Sequence, residues 1–325
     1  MLPGDVHDGA GGPDDGSGSG GDGAFAAAEA TIAAGGTLPE SAAEAVAVGG
    51  AAAVDSPARR RRLTFTRRLA AAWLVLVVAL CALAPLLPLP DPEAGDGAIG
   101  AGPGGGAILG TDQLGRDILS RLLWGGRTSF FIAVVTTAIA MLIGLTFGIL
   151  AGYLRGRADW VIAGVADFVL AFPALILLIV LTSVFGLSIK NLVLGLAVLG
   201  APAFVRIARA HSMTVSQREF VLAARGSGAR NGRIMFRHIL PSVIGPVAAY
   251  GLTFAAVVFV AEGSLSFLGL GVPPPTPSWG GMIAAGRPWL ERGMHIVLVP
   301  SIVLIATVLA LNFLGDRPDE AGRRR

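Results

Sequence analysis

Long apolar runs alternate with polar stretches along most of this chain. The runs are Leu69–Leu89, Thr128–Gly152, Trp160–Phe185, Ile189–Ala210, Ser242–Ala261 and Ile296–Leu314. Each comes close to or passes the ~20 apolar residues that a helix needs to cross about 30 Å of hydrocarbon. Lipid offers no hydrogen-bond partners, so such runs satisfy their own backbone by becoming helices. The pattern therefore predicts an all-α, polytopic membrane protein with six transmembrane helices. Within the second run, Gly144, Gly148 and Gly152 recur at four-residue spacing and predict a face that a second helix approaches closely. The third run carries Asp167 and Pro173, and Lys190, Arg206 and Arg209 crowd the ends of the fourth.

The stretches between the runs set the organisation. Residues 1–58 are rich in Gly, Ala, Asp and Ser and have too little apolar surface to offset ordering entropy, which predicts a disordered leader. Residues 59–108 read as the first transmembrane helix and a Gly/Pro-rich linker, 109–316 as the main transmembrane domain, and 317–325 as a charged tail. A cleaved signal peptide is the rival reading of the first run, because Ala82-Leu83-Ala84 resembles a cleavage site. The long acidic leader and the later spans favour a retained anchor. Ile118, Leu119, Leu122 and Leu123 predict a short amphipathic helix ahead of the second span. Between Gly263 and His295, the prolines at 273–275 and 277 predict extended polyproline geometry, while Trp279 and Trp289 suit a membrane–water interface.

One polar stretch, Ser216–Pro241, stands apart, with arginines at 218, 225, 230, 233 and 237. Ser216 and Glu219 have the spacing of a capping box, predicting a helix over Ser216–Arg225. Gly226 and Gly228 offer stop positions that tolerate a left-handed backbone. A second helical piece, Asn231–Leu240, is expected to end before Pro241. Most of the chain's 25 Lys and Arg fall on the side of this hinge, together with the arginine cluster before the first span, the loop at Tyr153–Asp159 and the tail. The positive-inside bias then places the hinge and both termini in the cytoplasm.

Composition removes several classes of function. The chain is 53% hydrophobic and 14% charged, with a mean hydropathy of +0.69, whereas soluble domains carry about a quarter charged residues. Cys81 is the only cysteine and the four histidines, 7, 211, 238 and 295, lie far apart. An intrachain disulfide is excluded, and no metal-ligand spacing is present. Lys190 is the only lysine and no glycine-rich run leads into it, so the chain is not its own P-loop ATPase. The arginines sit at membrane edges rather than on one face interleaved with aromatics, which argues against nucleic acid. No catalytic set stands out. His238, beside Arg237, lacks an orienting carboxylate and a nucleophile and reads as a surface or docking residue.

Polar residues inside the runs are the remaining candidates, because an ionisable group in a membrane is costly unless it meets a partner or water. Asp167 either pairs with Arg206 or Arg209, or meets water or a coupling surface. Glu262 is either solvated near the outer boundary or part of a pathway. Asn312 is expected to bond a neighbouring helix.

In the hinge, Ala223-Ala224, Gly228 and Ile239-Leu240-Pro241 resemble the "EAA" coupling loop of ABC importer permeases. Leu222 stands where that family usually has a glutamate, so a polar contact made there is replaced by apolar area. The stretches ILGTDQLGRDILSRLLWGGRTS, ADFVLAFPALIL, RHILPSV and AEGSLSFLGLGVPPPTPSWGGMI are similar to the dipeptide/oligopeptide/nickel branch, and more narrowly to its C-type subunit, over about Leu109–Asp316. The resemblance implies a coupling loop comprising Ser216, Glu219, Leu222, Ala223, Ala224, Gly228, Arg237, His238 and Pro241. It also implies a homologous B-type permease, two cytoplasmic ATPase subunits that hold ATP and Mg, and an extracytoplasmic substrate-binding protein. No cofactor is expected on this chain. The function implied is inward transport, of di- or oligopeptides, by alternating access. The rival is an ion-coupled secondary transporter using Asp167 and Glu262, which predicts inverted repeats with broken helices at mid-membrane. No convincing repeat relates the two halves. A membrane enzyme is disfavoured by the missing catalytic set.

Overall fold

The structure, a computed structural model, describes residues 57–104 and 106–316, with side chains from Phe65 onward. The expected tail 317–325 and all but the last two residues of the expected leader lie outside the described residues. Contacts divide the chain into two units, Met1–Phe65 and Thr66–Arg325. Of the first, residues 57–65 are described, and they form the opening turns of a helix.

The described residues are helical with no strand, apart from an isolated bridge between Thr111 and Asp117. In chain order the helices are α1 (Pro57–Leu83), α2 (Ile118–Leu154), α3 (Gly156–Ala171), α4 (Ala174–Phe185) and α5 (Ile189–Val215). Then come α6 (Glu219–Gly226), α7 (Asn231–Ile234), α8 (Leu240–Phe267), α9 (Trp279–Gly286) and α10 (Met294–Gly315). Five apolar rods are long enough to cross a membrane: Phe65–Leu86, Ile118–Leu154, Ile189–Val215, Asn231–Phe267 and Met294–Gly315. The sixth expected span is broken. Its halves, α3 and α4, meet at 86°, because Pro173 has no N–H for the helix ladder and pushes Phe172 into extended geometry (φ −83°, ψ 132°).

Three further expectations change. The amphipathic helix at 118–123 is not separate, since α2 runs on to Leu154 without a break. Gly125 and Gly126, inside α2, are close-approach positions. A Cβ on Gly126 would lie 3.0 Å from the Trp279 ring, and one on Gly125 would lie 3.3 Å from the Ser278 backbone. Pro241 does not stop its helix. Residues Met235–Ile239 form a π turn, which shifts the hydrogen-bond register just ahead of the proline, so the ring is accommodated and a single rod continues from Asn231 to Phe267. The Pro-rich stretch makes turns at Pro274 and Pro275, not a polyproline helix.

The described part of the linker, residues 90–104, is folded onto the N-terminal end of α2. Ser120 Oγ donates to the Pro90 carbonyl (2.6 Å), Arg121 Nη1 to that of Pro92 (2.8 Å), and Gly100 N to that of Asp112 (2.9 Å). Asp117 caps α2 by accepting from Ser120 N (2.7 Å).

The glycine face holds the bundle together. α2 packs along α5 more extensively than any other pair. A Cβ on Gly148 would fall 2.6 Å from both the Ala208 Cβ and the Val205 carbonyl, and one on Gly152 would fall 2.6 Å from the Arg209 carbonyl. Small residues are required there because lipid gives apolar helices no reason to associate, so close packing must do it. Two buried clusters result. One gathers Ile118, Ile132, Leu192, Phe259 and Trp279, and the other gathers Phe204, Val221, Ile234, Ile239 and Val243.

Candidate coupling surface and intramembrane polar sites

The second cluster supports an elbow made of α6, α7 and the π turn. α5 carries its buried pattern through Ser212 and Val215, past the expected end at Ala210, and this overturns the capping box. Ser216 is the C-terminal cap of α5, and its hydroxyl donates back to the Met213 carbonyl (2.8 Å), the usual local bond for a serine in a last helical turn. Glu219 opens α6 behind Arg218, which makes no side-chain cap. The far end of α6 is built as the sequence requires. Gly228 is left-handed (φ +76°), its N–H bonds the Arg225 carbonyl (3.0 Å), and the Ala229 N–H bonds the Ala224 carbonyl (3.1 Å). That pair of bonds is a Schellman motif, which closes a helix on glycine.

One face of α6 packs on the body. Val221 is fully buried, while its neighbours Phe220 and Leu222 are 44% and 50% exposed, and Phe236 in the π turn is 74% exposed. Ala223 is also exposed and Ala224 half-buried. Two contacts tie the elbow to the end of α2: Tyr153 donates its hydroxyl to Asn231 Oδ1 (2.9 Å), and the Arg225 guanidinium lies 5.1 Å over the Tyr153 ring. His238 is half-buried with its ring 6.2 Å from that of Phe220, and Arg237 and Pro241 are exposed. Phe220 and Phe236 escape motif reading, although two bare phenylalanines in a polar, arginine-rich stretch were a visible signal.

The intramembrane candidates do not come together. Asp167 Oδ1 pairs with Arg206 Nη2 at 2.6 Å, both groups about 60% exposed. Arg209, the other expected partner, instead takes Asp159, with Nη2 to Oδ2 at 2.7 Å and a second contact through Nε.

Glu262 is not solvated: it is 1% exposed. Its Oε1 accepts from Ser278 Oγ (2.8 Å) and Ser266 Oγ (3.1 Å), and Ser278 Oγ also caps α9 by accepting from Gly281 N (3.0 Å). The carboxyl thus fastens α9 to α8. A burial this deep arises from the fold-back of residues 268–278, which no local pattern announces. Asn312 bonds the Val308 carbonyl of its own helix (3.0 Å) rather than a neighbouring one. Trp279 sits in the core, not at an interface, with Nε1 donating to the Leu122 carbonyl (2.8 Å) and its ring stacked 5.7 Å from Phe259. Among the described residues no group of His, Cys, Asp and Glu is placed to hold a metal ion.

Comparison with known proteins agrees with this architecture. Residues 144–318 match the family described as "Binding-protein-dependent transport system inner membrane component". The chain is 38% identical over 215 residues to a glutathione transport system permease protein of Pectobacterium atrosepticum, covering 66% of this chain and 71% of that protein. It is 40% identical over 210 residues to a di/tripeptide transport system permease protein of Pseudomonas aeruginosa, covering 64% and 69%. A putative peptide transport system permease protein of Brucella suis is 35% identical over 258 residues, 79% of this chain and 86% of that one. Among solved structures, the inward-facing MetNI methionine ABC transporter shares the fold, with a TM-score of 0.51 and 18% identity over 62% of this chain and 95% of that one. With its multi-pass helical bundle, its elbow and this family match, the chain belongs to the binding-protein-dependent transport system inner membrane components, as a permease subunit of an ABC importer.

Proposed function

We propose that this permease moves di- or oligopeptides inward by alternating access, driven by ATP hydrolysis on separate subunits gripping its elbow. The observation that carries the reading is the apolar surface of that elbow. Phe220 and Leu222 stand uncovered on a helix that Val221 pins to the core and Gly228 closes, and Phe236 stands uncovered in the π turn that follows. A short, rigid, partly apolar helix between two spans is the element a groove on an ATPase can hold. Leu222, in place of the usual glutamate, buries apolar area in that groove, worth about 25 cal/mol for each Å² covered. Ser216 marks the end of α5, Glu219 and Ala223-Ala224 form the helix face, and Arg237, His238 and Pro241 carry displacement into the Asn231–Phe267 rod. Such a rod moves as one body, and ATP-driven motion of a bistable bundle needs a mechanical link of this kind.

In this proposal the elbow, the 1–58 leader and the 317–325 tail face the cytoplasm, with residues 109–316 as the transport body. The complex contains a B-type permease, two ATPase subunits holding ATP and Mg, and an extracytoplasmic substrate-binding protein. The peptide cargo is supported by the di/tripeptide and glutathione relatives, glutathione being itself a tripeptide. Glu262 and Asn312, each bonded within the chain, have structural roles. Peptide uptake into vesicles by the assembled complex tests the reading: disabling the ATPase partners should abolish it. Uptake that persists on a proton gradient alone would overturn it in favour of ion coupling.

A further inference from the structure

The Asp167–Arg206 pair has a setting that the coupling surface does not explain. Asp167 lies one turn before the end of α3, and Arg206 lies nine residues, about 14 Å, from the inner end of α5. Arg206 lies in a helix long and apolar enough to cross a membrane and Asp167 in the bent α3–α4 pair, yet both are about 60% exposed, and among the described residues each is the other's only ion-pair partner. Charges so exposed cannot face hydrocarbon without heavy cost.

The backbone beside them is polar as well. The break at Phe172–Pro173 ends α3 one turn past Asp167 and leaves helix-end carbonyls there. Broken backbone at membrane depth is tolerated only when it is buried in protein or lines water, and α3 and α4 are scarcely buried: Ala166, Leu178 and Thr182 are their only buried residues. On α5, Pro202 has no N–H to give the Val198 carbonyl. Val198 and Arg206, one turn to either side of it, are exposed, while Pro202 itself is buried. Phe168 and Phe172, in edge-on contact at 5.2 Å, stand exposed beside Asp167. Water satisfies a charge pair and the open carbonyls at the end of α3 together; a flat protein face would need a matched donor for each.

We infer that the Asp167–Arg206 pair lines the aqueous translocation path and opens to receive a zwitterionic cargo, Asp167 taking its ammonium and Arg206 its carboxylate. An ion pair in water is weakly held, so opening it is easy. The C-terminal end of α3 adds negative potential for an ammonium, and the planar guanidinium is suited to a carboxylate. The cargo half of this inference rests on the peptide reading above, while the lining half does not.

The test uses the full complex in lipid vesicles. In a Cys81→Ala background, Asp167→Cys and Arg206→Cys should each react with a membrane-impermeant thiol reagent, and dialanine should slow that reaction. Failure of both positions to react would overturn the inference and place the pair against the partner permease. The second arm is charge reversal. Asp167→Asn or Arg206→Gln alone should lower dialanine uptake roughly ten- to a hundredfold, the loss of one charge-assisted hydrogen bond. The double variant Asp167→Arg/Arg206→Asp should leave complex yield unchanged and still fail in uptake, because the cargo's polarity is then mismatched. Full recovery of uptake in the double variant would make the pair structural and overturn the inference. Should the unaltered complex move no peptide, the peptide reading falls, and thiol reactivity alone decides whether the pair lines the path.

Discussion

The two ends of the Asn231–Phe267 rod, about 55 Å apart, are built on opposite plans. At one end the elbow leaves Phe220, Leu222 and Phe236 bare and is held by buried Val221, Ile234 and Ile239, by contacts to Tyr153 and by a glycine cap. At the other end the chain folds back on itself. Glu262, Ser278 and Trp279 are all buried, and every one of them makes a hydrogen bond across elements. The closed end is fastened from within the chain: Glu262 Oε1 accepts from Ser278 and Ser266, and Trp279 donates to the Leu122 carbonyl. The open end leaves apolar side chains uncovered within this chain. That contrast separates a self-fastened end of the permease from the end on which, in the proposal above, another subunit acts.

Changes at four positions break or sharpen the contrast. Trp279→Ala should have the largest effect, about 3–5 kcal/mol of stability, read as a collapse in melting temperature and yield of the purified complex. Glu262→Ala should cost about 1–3 kcal/mol by orphaning buried serine hydroxyls, while Glu262→Gln should cost less and leave uptake indifferent to a proton gradient. Vesicle uptake with and without an uncoupler measures this, and gradient-dependent loss would contradict the closed-end assignment. Gly228→Val forces a β-branched residue to φ +76°, a strain of about 1–2 kcal/mol. The complex should still assemble in the membrane, yet hydrolyse ATP without moving cargo. Parallel ATPase and uptake assays read this out, and unchanged transport would count against docking through α6. Leu222→Ala should be mildest, weakening capture of the ATPase subunits by about 1 kcal/mol, a few-fold in a titration.

Reading the sequence recovered the elbow's end better than its beginning. Gly228 is legible because only glycine sits easily at positive φ, so its position predicts a backbone state directly. Ser216 misleads because the capping spacing to Glu219 is a local pattern, and the burial of Ser212 and Val215 against α2 overrides it. Leu222 can be read as a departure from a family pattern, but its exposure beside a buried Val221 cannot. Asp167 is conspicuous as an acid in an apolar run. That it chooses Arg206 while Arg209 chooses Asp159 depends on how α3 lies along α5.

The sequence by itself determined that this chain is a multi-pass helical bundle, where its glycine face lies, and which stretch interrupts it as an elbow. Those follow from period, length and backbone chemistry, which act over a few residues and need no neighbours. Only the tertiary structure decided that Pro173 breaks a span while Pro241 does not, and that Glu262 is clamped rather than solvated. Those outcomes depend on what packs against each residue, and in a bundle the packing partner is often a hundred residues away, as Trp279 is from Leu122.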